Sequence, residues 1–285
     1  MEKNTVIFVT DKRQLGISDF LPGKTAGLNW KDEEDETVCL ERIRKANIVV
    51  LPTPAKKIEA SKDLVELLKY NLINCKVLFG GLLEEKWYHL GESYGFECYD
   101  FMKDELVAME NARITAQATI AEIMKYSQYE ICGQKIVVTG YGRCGRTLAN
   151  MLSAMGAKVT ILARSAKNRK QAKADGHNAV DFSYGAEEAY GTHIFVNTVP
   201  ALVMQEKIFQ EMHSDAVVID IASAPGGCDL KAAGKYGIPV IPALSLPAKY
   251  VTKSGAGIFA NAIYKKAFLD FDLKEDKSWI SQIII

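Results

Sequence analysis

Ile136-Val137-Val138-Thr139-Gly140-Tyr141-Gly142-Arg143-Cys144-Gly145-Arg146-Thr147-Leu148-Ala149-Asn150-Met151-Leu152 is the stretch whose reading decides the fold. It predicts strand, glycine turn and helix in succession. A β-branched run opens it and the glycines keep G-x-G-x-x-G spacing. Leu148, Met151, Leu152 and Met155 then recur at helical period until Gly156, the expected C-terminal glycine. In such a turn the first glycine permits the tight reversal. The second lets the backbone approach a pyrophosphate, and the third lets the helix pack closely on its strand. N–H groups at the helix start then face the anion. Gly140, Gly142, Arg143, Cys144 and Gly145 are therefore the first candidate cofactor-binding residues.

The next apolar run, Lys158-Val159-Thr160-Ile161-Leu162-Ala163, ends where an NAD-specific site places a carboxylate against the ribose 2′-hydroxyl, about 20 residues beyond the glycines. Here Arg164 and Ser165 follow instead. Without a carboxylate nothing repels a 2′-phosphate, Arg164 offers it a planar fork and Ser165 a hydroxyl. NADP(H) is the expected cofactor. The competing reading of Arg164 is a solvated residue at a strand end. Lys167, Arg169, Lys170 and Lys173 read as the basic face of a helix beside that phosphate.

At 285 residues the chain has room for two domains of ordinary size, and 48% hydrophobic with 25% charged residues is the composition of a globular protein. The formal net charge is zero, which argues against nucleic acid as the main partner. Six cysteines are scattered without C-x-x-C pairs or histidines at ligand spacing, so no metal site is expected. No run approaches the ~20 apolar residues that span a bilayer, and the start does not read as a signal peptide. A cytoplasmic protein with reduced thiols and no membrane association is expected.

Outward from the glycine turn, apolar runs at residues 6–10, 46–51, 75–79 and 96–99 predict short strands. A helical repeat at residues 61–72 lies between two of them. Pro52-Thr53-Pro54 and Gly80-Gly81 stand at strand ends, either as turn punctuation or as cleft lining. The acidic run at residues 31–36 reads as solvated. Strands alternating with helices imply parallel sheets covered on both faces. Residues 105–129 predict a long helix connecting two domains. Beyond the turn, Val196-Asn197-Thr198-Val199-Pro200 is a strand with a polar exit, where Asn197 and Thr198 either meet the cofactor's central ribose or merely form a turn. Residues 216–220 form the next strand, followed by Ile221-Ala222-Ser223-Ala224-Pro225-Gly226-Gly227. Asp220 in an apolar strand is costly unless hydrogen-bonded, so it either caps local backbone or orients a catalytic group. A short strand at residues 237–241 follows, and Ser254 is the expected N-cap of a helix over residues 255–270. The apolar end at residues 279–285 should be buried.

These elements predict a two-domain α/β protein, a Rossmann-type doubly wound parallel sheet plus a smaller flavodoxin-like α/β domain. Residues 1–115, with 255–285 packing back, form the substrate-side domain, and residues 116–254 the NADP-binding domain.

With the elements placed, the sequence resembles the family of the A-type subunit of dipicolinate synthase. The likeness rests on Gly140-Tyr141-Gly142-Arg143-Cys144-Gly145, on Gly156 through Ser165, on Val196 through Pro200, on Ile219 through Gly227, and on Lys253 followed by Ala260-Asn261. More distantly it is similar to alanine dehydrogenase and the D-2-hydroxyacid dehydrogenases. The resemblance implies NADP-dependent oxidation of dihydrodipicolinate to dipicolinate during sporulation, with a small dicarboxylate substrate, the B-type subunit of dipicolinate synthase as partner, and a homo-oligomer. It adds Pro200 and Ala222 to Asn197, Thr198, Arg164 and Ser165 as cofactor-binding residues, and marks Lys253 and Ser223 as catalytic. Arg113, Thr115 and Gln117 become substrate-binding residues, although Lys253 also reads as solvated. This chain departs from the family's pattern at residues 113–118, at Ala224, where the family carries an arginine, and at residues 244–248. Those departures keep open an NADP-dependent oxidoreductase for another small carboxylate, and the absence of a clear acid/base residue keeps open a non-catalytic nucleotide-binding subunit.

Overall fold

The computed structural model describes residues 4–28, 36–58 and 62–269. The acidic run at residues 31–35 and the apolar end at residues 279–285 lie outside the described residues. Two compact units form, Met1–Asn111 with Val251–Ile285 and Ala112–Tyr250.

The first unit opens with β1 (Asn4–Phe8), α1 (Lys12–Ile17), β2 (Lys24–Leu28), α2 (Glu36–Lys45) and β3 (Ile48–Val50). It continues through α3 (Lys62–Asn71), β4 (Val77–Gly80), α4 (Glu85–Tyr94), β5 (Glu97–Asp100) and the start of α5 (Glu105–Tyr126). The strands are parallel in the order β2-β1-β3-β4-β5, the flavodoxin order, with a reversal of direction between β1 and β3. Side chains alternate across the sheet as the strand period demands. Val6 and Phe8 pack with Ile43, Leu68, Leu72 and Trp87 of α2, α3 and their surroundings, whereas Ile7 packs on the other face with Ile17 of α1. Strand β2 has no counterpart in the sequence reading. Lys24-Thr25-Ala26-Gly27-Leu28 is an edge strand that buries only Leu28, so it carries no apolar alternation to detect.

The second unit contains most of α5, then β6 (Lys135–Thr139), α6 (Arg143–Ala154), β7 (Lys158–Leu162), α7 (Ala166–Ala174), β8 (Asn178–Val180), α8 (Gly185–Ala189), β9 (Ile194–Asn197) and α9 (Glu206–Glu211). It closes with β10 (Val217–Asp220), α10 (Leu230–Lys235), β11 (Val240–Pro242) and α11 (Leu246–Tyr250). Its parallel order β11-β10-β9-β6-β7-β8 is that of the Rossmann sheet, with the reversal between β6 and β9. Ile136, Val138, Ile161, Val196 and Ile219 pack against α5 and α6, while Val137, Phe195 and Val218 pack against α9 and α10. Pro242 is tolerated in β11 because that strand lies at the edge.

Helix α12 (Thr252–Tyr264) belongs to the first unit and lays Phe259, Ala260 and Ile263 in the core beside α1. Its start corrects one expectation. Val251 is the N-cap and Gly255 N already bonds Val251 O at 2.9 Å, so Ser254 lies inside the first turn instead of capping it. Met155, read as part of the apolar stripe of α6, is the C-cap and 44% exposed, since the helix ends one residue before it. No helix among the described residues is long and apolar enough to cross a membrane.

His177 joins α6 to the approach to β8. Its Nε2 lies 2.8 Å from Asn150 Oδ1 and its Nδ1 3.1 Å from Ser153 Oγ. Asn150 Oδ1 only accepts, so Nε2 carries the proton and Nδ1 accepts from the serine hydroxyl. Burial holds His177 below the ordinary value of 6.5, with Asp175 pulling the other way. A folded value below the unfolded one contributes stability that is complete above about pH 6.5 and is lost as pH falls through the folded value. The thermal midpoint should drop between pH 7 and 5 more steeply for the wild type than for His177→Gln. Equal slopes would contradict this role.

Candidate functional site

Strands β6, β9 and β10 end in register on polar residues, Thr139 opposite Asn197 and Asn197 opposite Asp220. All three are buried, at 0%, 0% and 7% exposure. Thr139 Oγ1 donates to Asn197 Oδ1, and Asn197 Nδ2 donates to Asp220 Oδ1 at 2.8 Å and to Val199 O at 3.1 Å. Asp220 also accepts from Ala222 N at 3.0 Å and Gly227 N at 3.3 Å. Burial and the Asp220 carboxylate together push the Cys228 thiol far above its usual range, so it stays protonated as a further donor to Asp220. One chain of hydrogen bonds therefore shapes the loops leaving β9 and β10 at the reversal point of the sheet. Of the two readings of Asp220, this geometry supports the cap on local backbone.

The glycine turn is built against the same chain. Gly140 has φ +85°, a conformation that favours glycine, and a Cβ there would lie 2.6 Å from Thr198 Oγ1. Thr198 Oγ1 in turn donates to Thr139 O at 2.6 Å. A Cβ on Gly145 would stand 2.5 Å from Gly140 O, so only glycine lets α6 sit this close to β6. A Cβ on Gly142 would meet nothing within 4 Å. The first bond of α6 runs from Arg146 N to Gly142 O at 2.9 Å, which leaves Cys144 and Gly145 N–H groups without a backbone acceptor among the described residues. Open space over Gly142 and outward N–H groups at a twelve-residue helix fit a dinucleotide pyrophosphate. Burial raises the Cys144 thiol, with Arg143 opposing, so Cys144 is not poised as a thiolate.

Tyr141, within the turn, is 6% exposed and its hydroxyl donates to Asp175 Oδ2 at 2.7 Å. Arg146 Nε reaches the same oxygen at 2.8 Å and its Nη2 lies 3.2 Å from Oδ1, which ties the turn to the end of α7. Sequence reasoning did not find this brace, because nothing in the spacing of Tyr141 and Asp175 links them.

At the end of β7, Ala163 is buried and Arg164 and Ser165 are exposed. The Arg164 guanidinium makes no hydrogen bond or ion pair among the described residues. Ser165 Oγ caps α7 by accepting from Asn168 N at 3.4 Å, which leaves its own proton to donate. Arg169, read with the basic cluster, is occupied otherwise. Its Nη1 donates to Ala163 O at 2.7 Å, Arg164 O at 2.6 Å and Asp181 Oδ2 at 2.6 Å, so it pins the loop carrying Arg164 instead of facing an anion.

Pro200 and Ser223 are exposed on the loops after β9 and β10, and Ala222 is buried with its N–H on Asp220. Arg113, Thr115 and Gln117 lie on α5 in the second unit. Arg113 and Gln117, four apart, share an exposed face, whereas Thr115 is two residues from each, half-buried and on another side. Lys253 lies exposed in the first turn of α12, in the first unit. Among the described residues no three His, Cys, Asp or Glu side chains are grouped to hold a metal ion.

The sheet order, the glycine turn and the open helix start define a nucleotide-binding Rossmann domain. Residues 112–260, just over half of the chain, match the family described as S-adenosyl-L-homocysteine hydrolase, NAD binding domain, and the chain belongs to that family. Its cofactor class is thus a nicotinamide dinucleotide. The chain is also a divergent relative of the A-type subunit of dipicolinate synthase. It is 31% identical to that protein of Bacillus subtilis over 165 residues, 58% of this chain. The match spans only about half of the relative, 55% of its length. The crystal structure of the same dipicolinate synthase component from Bacillus halodurans superposes with a TM-score of 0.74 at 25% identity, covering 92% of this chain and 97% of the other. Its counterpart from Bacillus subtilis gives 0.75 at 22% identity, covering 96% and 98%.

Proposed function

We propose that this chain is an NADP-dependent oxidoreductase that converts dihydrodipicolinate to dipicolinate. The observation that carries the reading is a glycine turn and open helix start at the sheet's reversal point combined with an exposed Ser165 and an exposed Arg164 that is unpaired among the described residues, where an NAD site keeps a carboxylate. Similarity to the A-type component of dipicolinate synthase supports the substrate. Aromatising a dihydropyridine removes a hydride and a proton. NADP⁺ bound in the cradle supplies the hydride acceptor. The chain's own residues bind and orient: N–H groups of α6 take the pyrophosphate, Asn197 and Thr198 shape the loop beside it, and Ala222 and Pro200 line the same strand ends. Arg164 and Ser165 take the 2′-phosphate. Arg113, Thr115 and Gln117 are proposed as substrate-binding residues, and Lys253 and Ser223 as catalytic residues. The working assembly in this reading is a cytoplasmic homo-oligomer that acts during sporulation with the B-type component of dipicolinate synthase.

Ala224 favours a second reading, oxidation of another small carboxylate, because its methyl cannot pair a carboxylate as an arginine does.

Cofactor choice is tested at Arg164. A charge-assisted contact of this kind is worth about 1.5–3 kcal/mol, or about one to two decades of affinity. Calorimetry should show Arg164→Ala losing NADP(H) affinity by that factor with NAD(H) affinity nearly unchanged. Equal losses for the two cofactors would make Arg164 structural.

A further inference from the structure

The first unit has its own reversal point, between β1 and β3, and the loops leaving those two strands carry an unbalanced charge cluster. Asp11 follows β1, Arg13 stands in α1 and Lys57 follows β3. Arg13 Nη2 lies 2.8 Å from Asp11 Oδ2 and Nε 3.2 Å from Oδ1, while Lys57 Nζ lies 3.5 Å from the same Oδ2. Two cations thus share one carboxylate oxygen, and neither pairs with a second carboxylate among the described residues. Burial raises the Asp11 carboxyl, but the Arg13 hydrogen bond and the two positive charges outweigh it and hold the group below its ordinary value. Asp11 is therefore ionised and the cluster keeps one positive charge in excess.

The arginine is held for use. Its side chain is 7% exposed, its guanidinium lies over the Phe259 ring at 5.8 Å, and Asp11 engages Nε and Nη2, while Nη1 has no acceptor among the described residues and keeps its protons for another. An adjacent donor is similarly committed on one side only. Gln14 Oε1 accepts from Thr10 N at 2.6 Å and Asp11 N at 3.0 Å, which fixes the amide orientation and leaves Nε2 as a donor. Parallel α/β sheets take ligands outside the carboxyl ends of strands at such reversal points.

We propose that the β1/β3 end of the first unit is a carboxylate-binding subsite, with Arg13 and Lys57 as its specificity-determining cations. A single excess charge suits a monoanionic carboxylate group better than a dianionic phosphate. The inference rests on the small-carboxylate reading of function.

The test is calorimetric titration of the full chain with pyridine-2,6-dicarboxylate, its dicarboxamide, acetate, pyruvate, malonate and inorganic phosphate, alongside NADPH. Lys57→Gln leaves the Asp11–Arg13 pair intact and is the primary variant; Arg13→Gln, checked for folding by circular dichroism, is the second. The wild type should bind at least one carboxylate and not the dicarboxamide, Lys57→Gln should weaken that binding on the order of tenfold, and Arg13→Gln more, with NADPH affinity unchanged. Binding of another carboxylate but not the pyridine dicarboxylate, with the same dependence, upholds the subsite and overturns the dipicolinate reading. The subsite is overturned if no carboxylate binds, if Lys57→Gln binds it as tightly as the wild type, or if phosphate binds more tightly than any carboxylate.

Discussion

Gly145→Ala should reduce dinucleotide affinity by at least about two decades and lower stability by about 1–3 kcal/mol, the usual cost of forcing a methyl into packed structure. The added carbon would stand 2.5 Å from Gly140 O and 3.1 Å from Gly140 C, both backbone atoms that cannot rotate away. Helix α6 must then lift from β6, which carries the Cys144 and Gly145 N–H groups off the pyrophosphate. Gly142→Ala provides the contrast. Its Cβ meets no protein atom within 4 Å, so thermal stability should stay near wild type while dinucleotide binding weakens, because that space is the one proposed for the pyrophosphate. Thermal melts with cofactor titrations distinguish the two. Equal destabilisation by both substitutions would show that the open space at Gly142 is not a binding cradle.

Asp220→Ala is the second large effect. Its carboxylate receives Asn197 Nδ2, Ala222 N and Gly227 N, and the substitution leaves the two buried N–H groups without an acceptor and Asn197 Nδ2 with only Val199 O. A loss of about 3 kcal/mol in unfolding free energy is expected from groups stranded in this way. Gly227 has no room to compensate, since a Cβ there would already lie 2.4 Å from both Asn197 Nδ2 and Val199 O. Denaturant titration measures the change, and a loss below about 1 kcal/mol would mean that water replaces the carboxylate at little cost.

The inner strands of the second unit, β6, β7, β9 and β10, were legible because they are almost wholly buried and therefore apolar for most of their length. The glycine spacing then placed the turn. Two of the four edge strands were not legible: β2 buries one residue of five, and β8 is three residues long and buries one, whereas the edge strands β5 and β11 were read from residues 96–99 and 237–241. At the candidate site, the glycine turn and the place of Arg164 at the end of β7 were readable because they depend on local backbone conformation and on strand position. Asp175 and Arg169 were not, since each acts through partners fixed only by the packing of α7 on its neighbours. Thr139 had a signal that went unused, since β6, β9 and β10 each end an apolar run on a polar residue. Arg13 and Lys57 are 44 positions apart and meet only because parallel strands bring both loops to one end of the sheet.

The most direct measurement of the central claim is the formation of NADPH when NADP⁺ and freshly prepared dihydrodipicolinate are mixed with the protein, alone and with a B-type component of dipicolinate synthase. The account predicts NADPH and dipicolinate appearing in equal amounts, with NAD⁺ a much poorer acceptor. No turnover in either case would contradict it.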